Sequence, residues 1–235
     1  MAFKNNIVIF LVFVCELFSV TVVGQSFLMP EILLSEKEYV LEKHENFSIL
    51  CQGNKPVSWT VPKVKDPIKK TWTTFRINSE KTNNTQYKYG SRLQITNMSY
   101  PFVGFYYCHF GNVYMVNETD KVYLFVNDND NLDVGLDYRK NNTDVIYIQK
   151  RAKNSNIHCR PTAPDVDVKL FRIDTGSVEV PLNVLLEETN TMYWYEKYYG
   201  ISTNDTNFDE ERVFSCRFTK NAFMQETVVH FTAVD

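Results

Sequence analysis

The sequence has little of what several classes of protein require. Its four histidines are scattered among 235 residues and show no metal-ligand spacing. It contains no nucleophile elbow, no glycine-rich phosphate loop and no His-x-Glu zinc motif. Glycine and proline, eight of each, are too few for a low-complexity chain. We therefore expect a folded protein with no catalytic activity, no cofactor and no metal.

An excess of charge of one sign is also lacking. The chain has 25 basic and 28 acidic residues, which gives a net charge of −3. Nucleic-acid-binding domains normally carry a clear basic excess, so we expect no nucleic-acid partner. One basic cluster, Lys63-Val64-Lys65 with Lys69-Lys70, admits heparan sulfate as a partner, although such clusters are more often solvated loops.

Long apolar runs are absent after the first 24 residues. An apolar run over residues 7–14 follows Lys4, and Gly24 supplies the small residue at a cleavage site. This pattern predicts a signal peptide over residues 1–24, because the run is too short to be a stable membrane span. No later run approaches the roughly 18 to 20 apolar residues of a spanning helix. We therefore predict a secreted, extracellular protein with no membrane span.

Sequons for N-glycosylation agree with export. A single N-x-[ST] triplet would mean little, but several in a secreted chain make glycans expected. The predicted glycosylation sites are Asn46, Asn83, Asn97, Asn117, Asn141 and Asn204.

The cysteines form a repeated pattern. Cys15 leaves with the signal peptide, so the mature chain has four cysteines and none is left over. Cys51 and Cys108 are 57 positions apart, and so are Cys159 and Cys216. A repeated interval in an oxidising compartment predicts one disulfide-linked module used twice.

The residues around these cysteines indicate the type of module. Trp59 follows the first cysteine, and Tyr106 stands two positions before Cys108. A tryptophan on the inter-sheet disulfide and a corner tyrosine are marks of an immunoglobulin sandwich. We predict an all-β chain of two tandem immunoglobulin-like sandwiches, each with one disulfide. The predicted domains are residues 25–126 and 134–235, with an acidic linker at 127–133.

The second module shows the same plan with weaker marks. Leu170 stands where a tryptophan is common, and Phe214 replaces the corner tyrosine. Both side chains fill similar apolar space, so the core should survive without the tyrosine hydroxyl. His109 and His158 each adjoin a disulfide cysteine, and strand alternation predicts that both lie on the surface.

The linker contains three aspartates, which raises the question of calcium. Closely spaced carboxylates are ligands that calcium prefers, but this segment lacks the glycine and the terminal glutamate of an EF-hand loop. We therefore predict a solvated acidic linker rather than a metal site.

Several motifs resemble a known family. Residues 51–59 follow C-x-G-x-x-P-V-x-W, which resembles the first immunoglobulin domain of the platelet-derived and vascular endothelial growth factor receptors. Residues 124–128 resemble the end of that domain. Residues 159–171, 180–182 and 195–201 resemble motifs of the second domain, in the same order.

The resemblance implies a function. In this receptor family the second domain and its neighbour supply much of the surface that grips a dimeric cystine-knot growth factor. A secreted relative without a kinase would bind such a ligand and sequester it. Aromatic side chains are typical interface anchors. The candidate ligand contacts are Phe171, Tyr193, Tyr195, Tyr198, Tyr199 and Ile201.

Two alternatives stay open at this point. Immunoglobulin sandwiches host many functions, so the chain could be a secreted two-domain adhesion or immune-recognition protein. It could also be a truncated isoform or a fragment of a receptor tyrosine kinase.

Overall fold

The computed structural model describes residues 29–62, 70–77, 86–111, 119–135, 143–149, 155–173, 176–204 and 212–234. These residues form two successive β-sandwiches, each closed by one disulfide, which confirms the predicted fold class. The predicted signal peptide, the sequons at Asn83, Asn117 and Asn141, and the side chains of the lysine cluster at 63–70 lie outside what is described.

The first sandwich consists of two four-stranded sheets. One sheet has the strand order β1-β3-β6-β5, and the other has the order β2-β8-β7-β4. Neighbouring strands are antiparallel except β2 and β8, which are parallel. The strands are β1 (Glu31–Ile32), β2 (Glu38–Glu42), β3 (Phe47–Gly53), β4 (Val57–Thr60), β5 (Lys70–Arg76), β6 (Tyr89–Ile95), β7 (Gly104–Phe110) and β8 (Thr119–Asn127).

Strand β3 shows how the sequence pattern sets the two faces of a sheet. Alternate side chains of a strand point to opposite faces, so a period of two separates core from solvent. Ile49 and Cys51 are fully buried, Phe47 packs at the edge of the core, and Asn46 and Ser48 are exposed. This confirms the predicted alternation.

The first core is built around its disulfide and two aromatic residues. Cys51 and Cys108 are bonded across the sandwich with their Cα atoms 6.4 Å apart. Trp59 pairs in register with Cys108 and is 5% exposed. The buried Tyr106 hydroxyl donates a 2.8 Å hydrogen bond to the carbonyl oxygen of Phe102, which forms the predicted tyrosine corner.

The second sandwich has a four-stranded and a five-stranded sheet. Their strand orders are β10-β15-β14-β13 and β12-β11-β16-β17-β9, with β17 and β9 parallel. The strands are β9 (Thr143–Gln149), β10 (Ser155–Ile157), β11 (Asp167–Arg172), β12 (Val178–Val180), β13 (Val184–Leu186), β14 (Thr191–Glu196), β15 (Gly200–Thr203), β16 (Arg212–Lys220) and β17 (Phe223–Val234).

The second core uses smaller or simpler residues at the equivalent positions. The Cα atoms of the bonded Cys159 and Cys216 are 5.7 Å apart. Leu170 pairs in register with Cys216, as Trp59 does with Cys108, and is fully buried. Phe214 is also fully buried and meets Phe231 edge to face, with the ring centroids 5.5 Å apart.

The linker differs from the expected solvated segment. Asp128 and Asp133 are each 1% exposed, and Leu132 belongs to the second core. The Lys43 ammonium lies 2.9 Å from Asp128, and the Thr227 hydroxyl donates to Asp133 at 2.8 Å. The prediction was wrong for Asp128 and Asp133, because side chains of the two sandwiches provide partners that partly compensate for burying these carboxylates. The third aspartate, Asp130, is solvated as predicted, with its side chain 78% exposed.

The prediction of an exposed His109 was also wrong. The side chain points to the outer face of β7, as alternation requires, yet it is only 6% exposed. Its Nε2 atom lies 3.0 Å from the Thr60 hydroxyl on the neighbouring strand β4. Position on the outer face of a sheet therefore does not by itself mean contact with solvent. His158 is half-buried.

Candidate functional site

The hairpin between β14 and β15 reaches across to the first sandwich. Residues 197–199 form its turn, and Gly200 closes it with a φ of 93°. A Cβ atom on Gly200 would lie 2.6 Å from the carbonyl oxygen of Ile157 and 2.9 Å from the amide nitrogen of Cys159. Only glycine fits this position, because it tolerates positive φ and lets the hairpin lie close to β10.

A partly buried polar contact joins the hairpin to the first sandwich. The Glu38 carboxylate on β2 accepts hydrogen bonds from the Lys197 ammonium and the Tyr198 hydroxyl, both at 2.5 Å. Burial raises the pKa of Glu38, but these two hydrogen bonds outweigh it and hold the pKa below its ordinary value. The hydrogen bond to Glu38 in turn raises the pKa of Lys197 and of Tyr198.

An aromatic cluster surrounds this contact. The Tyr198 ring lies 4.6 Å from Tyr123, 5.4 Å from Phe105 and 6.2 Å from Phe125, between centroids. Tyr123 and Phe125 are 1% and 0% exposed although they point to the outer face of β8. Burial raises the pKa of Tyr123 to about 12. The outer face of the first sandwich is therefore an interdomain interface at this point.

Sequence reasoning missed this interface, although the sequence contains a signal for it. Strand β8 is apolar without interruption from Val122 to Val126. A strand exposed on one face alternates, whereas a continuous apolar run indicates burial on both faces. The run thus pointed to a second layer over β8.

An open groove continues from the interface along the first sandwich. Its volume is about 800 Å³, and it runs between the outer face of β7 and β8 and the hairpin. The residues that give it its chemistry are Lys37, Phe105, Tyr107, Asp120, Lys121 and Tyr199.

Two of the predicted ligand contacts are core residues. Tyr193 is 3% exposed and Ile201 is fully buried, and both belong to the second core. Their strands place them on the inner face of the sheet, so the prediction that they present surface to a ligand was wrong. Part of Tyr193 lines the wall of a cleft described below.

Phe171 is covered as well, but from the outside. It is 8% exposed, and the Arg217 guanidinium lies over its ring at 4.1 Å from the centroid. This cation–π contact occupies the ring face that a ligand would need. Phe171 is therefore not available as a contact in this conformation.

The remaining three predicted contacts differ in exposure. Tyr195 is half-buried, and burial raises its pKa to about 12. Tyr198 is half-buried in the interdomain interface. Tyr199 is 44% exposed and is the only exposed residue among the six.

A second apolar surface lies at one edge of the second sandwich. Strands β12 and β13 end the two sheets on the same side, with a cleft of about 310 Å³ between them. Val178, Val184 and Leu185 are 56%, 51% and 49% exposed there. Exposed apolar side chains on edge strands are unusual in a protein that works alone, because they invite pairing with another chain.

Three sequons lie within the described residues. The backbone amide of Asn97 donates a 3.0 Å hydrogen bond to the side-chain oxygen of Asn46, and both asparagines are exposed. The Asn204 side-chain oxygen accepts a 2.7 Å hydrogen bond from the Met192 amide. A glycan attaches to the side-chain nitrogen, and that nitrogen of Asn204 donates a long hydrogen bond of 3.5 Å to the carbonyl oxygen of Asn190. Glycosylation of the three sites stays a prediction.

The described residues offer neither a metal site nor a membrane-spanning helix. No group of three or more histidine, cysteine, aspartate or glutamate side chains in these ranges could hold a metal ion. No helix in the same ranges is long and apolar enough to cross a membrane.

Known proteins that are similar to this chain contain the same kind of domain as the sandwiches described above. Residues 28–134 match the family described as the N-terminal Ig-like domain of VEGFR1-3. Mouse platelet-derived growth factor receptor alpha is 29% identical over 171 residues, which cover 69% of this chain and 14% of the receptor. The chain resembles the immunoglobulin-like domains of growth factor receptors. Mouse vascular endothelial growth factor receptor 1 is 22% identical over 213 residues, or 87% of this chain and 15% of that receptor.

This resemblance confirms the one inferred from the motifs. The chain spans about a seventh of the length of the receptors it matches, at 14% and 15%. Among solved structures, a fragment titled "Anomalous substructure of Titin-A168169" aligns with 88% of this chain and all of its own length. It shares 12% sequence identity, and the TM-score is 0.36. The fold assignment rests on the sheets and disulfides described above rather than on this alignment.

Proposed function

We propose that this chain is a secreted, extracellular module that binds a dimeric cystine-knot growth factor of the platelet-derived or vascular endothelial type. The observation that carries the proposal is the 171-residue similarity to a platelet-derived growth factor receptor, which is longer than either sandwich. Similarity confined to one sandwich would support a shared fold alone. Similarity extending over more than one supports a shared arrangement of domains.

The exposed surface of the second sandwich is where we place the ligand. Tyr199 is the one exposed residue among the six predicted contacts, and Val178, Val184 and Leu185 form the exposed apolar edge. Interface hot spots are apolar or aromatic side chains that lose water on binding. These four residues replace the buried Tyr193 and Ile201 as candidate contacts.

Binding alone would be sufficient for a biological effect. A module whose dissociation constant is near the ligand concentration lowers the free ligand by mass action. A dimeric ligand has two equivalent faces, so two modules are expected per dimer. No catalytic step is part of the proposal.

The test is direct binding by the full chain, produced with its glycans in a secretory host. Purified growth factors of both types from the same organism are titrated over the immobilised protein. We expect saturable binding that Leu185→Ser and Tyr199→Ala weaken about tenfold each, since a good anchor contributes more than 1 kcal/mol. Val40→Ser is the matched control, because Val40 is 49% exposed on the first sandwich.

The result that contradicts the proposal is equally clear. If the disulfide-intact protein binds none of the growth factors, the likeness reflects ancestry, and adhesion or immune recognition becomes the leading function. Sedimentation analysis of the same sample then shows whether the exposed edge of the second sandwich mediates self-association.

A further inference from the structure

We propose that the groove at the domain junction binds an acidic segment of a protein partner, which inserts an aromatic or apolar side chain between Phe105 and Tyr199. This inference goes beyond growth-factor binding. The two proposed surfaces share Tyr199, but the groove is tested with peptides alone, so the result does not depend on whether a growth factor binds to the second sandwich. It rests on the aromatic surface of the groove and on the charges at its rim.

The aromatic surface of the groove is the open end of the interdomain interface. Tyr123 is 1% exposed where Tyr198 covers it, whereas Phe105 and Tyr107 on the adjoining strand are only half-buried. The Tyr199 ring stands 5.8 Å from the Phe105 centroid and is 44% exposed. The hairpin thus covers one end of an aromatic strip and leaves the other end accessible. A side chain of a partner can continue the same packing there.

The acidic group of the groove is already neutralised. The Asp120 carboxylate accepts two hydrogen bonds from the Lys37 ammonium, at 2.8 and 3.0 Å. It also accepts hydrogen bonds from the backbone amides of Ile32 and Lys121, both at 2.8 Å. With four hydrogen bonds from three donor groups on its two oxygens, Asp120 has little capacity left for a cation from a partner.

Among the described residues, one basic group of the groove, Lys121, keeps an unbalanced charge, because Asp120 offsets the charge of Lys37. The Lys121 ammonium lies 4.8 Å from the Phe105 centroid, and within the described residues it has no carboxylate within ion-pair distance. The Lys37 side chain is 68% exposed even though it contacts Asp120. The rim therefore presents positive charge beside aromatic rings. A complementary segment carries carboxylates next to one apolar or aromatic side chain.

A sulfated glycan is the other class of anion that such a rim could attract. Binding of a polyanion grows with the number of basic groups along its path, and among the described residues two lysines line this groove. The aromatic rings outnumber the lysines here, which favours a protein segment that buries a side chain.

The test uses short peptides as defined probes against the full glycosylated chain. The acidic aromatic peptide is acetyl-DEFDE-amide, and its controls are acetyl-DEGDE-amide, acetyl-KKFKK-amide and a heparin-derived octasaccharide. Ligand-observed NMR titration measures each affinity. We expect acetyl-DEFDE-amide to bind with a dissociation constant on the order of 1 mM and each control to bind at least about fivefold more weakly.

Variants then locate the binding. Tyr199→Ser and Lys121→Glu should each weaken the acidic aromatic peptide about fivefold or more. Val184→Ser should leave its affinity unchanged, because Val184 lies on the edge strand β13 and does not line the groove. All three positions are exposed, so intact circular dichroism and intact disulfides are expected for each variant.

Four outcomes would overturn the proposal. They are no binding up to about 10 mM, equal binding of the glycine or the lysine peptide, an unchanged affinity in Tyr199→Ser, and tighter binding of the octasaccharide than of the peptide. None of these depends on a growth factor, so the failure of this proposal can be told apart from failure of the proposed function.

Discussion

The two sandwiches fill equivalent positions of their cores with different residues. Both place a disulfide between cysteines 57 positions apart, and both pair the second cysteine in register with a large apolar residue. In the first sandwich that residue is Trp59, and in the second it is Leu170. The first also has the corner hydrogen bond of Tyr106, which the equivalent Phe214 cannot make. The shared register shows that the pairing of the strands defines the module. The identity of the residue opposite the second cysteine does not.

The difference indicates how each sandwich is stabilised. Three features stabilise the first sandwich: its disulfide, its buried tryptophan and a buried hydrogen bond. The second has a disulfide and smaller apolar residues, and it contacts the first through Lys197 and Tyr198. We therefore expect the second sandwich to depend more strongly on its disulfide and on its neighbour.

The largest expected effect is the loss of the second disulfide. The double change Cys159→Ser with Cys216→Ser removes a cross-link over a 57-residue interval, which is worth about 4 kcal/mol in the chain-entropy model. Native domains have only about 5–15 kcal/mol of stability, so this loss removes roughly a quarter to four fifths of it, and the second sandwich should unfold far more often at 37 °C. Hydrogen exchange resolved by segment measures this.

The matched control removes the other disulfide. Cys51→Ser with Cys108→Ser costs the same loop entropy but leaves Trp59 and the corner hydrogen bond of Tyr106 in place. The first sandwich should retain more protection than the second does in its own variant. Greater loss in the first sandwich would contradict the comparison.

The next effect concerns the glycine that closes the interdomain hairpin. Gly200→Ala should destabilise the second sandwich by about 3 kcal/mol, because alanine is strained at a φ of 93° and its Cβ meets backbone atoms of β10. Gly176→Ala is the control, with a φ of 102° and no atom within 4 Å of the added Cβ. It should cost only the strain, about 1–2 kcal/mol. Equal effects in thermal unfolding would show that the close approach to β10 is unimportant.

A smaller effect tests the corner hydrogen bond directly. Tyr106→Phe gives the first sandwich the residue type that the second already has, and leaves the carbonyl of Phe102 without its buried donor. We expect a loss of about 1–2 kcal/mol in urea unfolding of the first sandwich. Tyr100→Phe, in the same short turn, should change stability by less than about 0.5 kcal/mol. A neutral Tyr106→Phe would mean that the corner bond contributes nothing to the difference between the sandwiches.

The smallest effect is on the contact between the sandwiches. The pKa of Glu38 is held low in the folded protein, so its stabilisation is complete at neutral pH and is lost as pH falls through that lowered pKa. Small-angle scattering should show a constant interdomain geometry from about pH 8 to pH 5 and a looser one below about pH 4. Glu38→Gln should abolish this transition at a cost of less than about 1 kcal/mol, whereas Glu36→Gln should preserve it. The same transition in Glu38→Gln would assign it to another group.

The sequence allowed the fold to be predicted in detail. The cysteine interval, Tyr106 and Trp59 specified the module, and period-two alternation placed Ile49 and Cys51 in the core. Even the substitutions Leu170 and Phe214 were assigned to the correct positions, because they are fixed by their distance from a cysteine. Local patterns of this kind survive changes of residue type.

The candidate site could be predicted only in part. Residue type alone suggested Tyr193 as a contact, but the strand turns it towards the core. The exposure of Tyr199 and the burial of Tyr123 both depend on how one sandwich lies against the other. That arrangement is set by contacts between residues about 160 positions apart, such as Glu38 with Tyr198. The apolar run over β8 indicates that Tyr123 is covered, but no local pattern identifies the residues that cover it.

The burial of Tyr123 and Phe125 on β8 also has a consequence during synthesis. Strand β8 ends at Asn127, but Tyr198, which covers Tyr123 and Phe125, is added 198 − 127 = 71 residues later. Protein synthesis adds about 5–20 residues per second, so Tyr123 and Phe125 stay uncovered for roughly 4–14 seconds. During that interval the nascent chain exposes an apolar surface that the finished protein hides. The second sandwich therefore covers these aromatic residues of the first only after it has itself been synthesised.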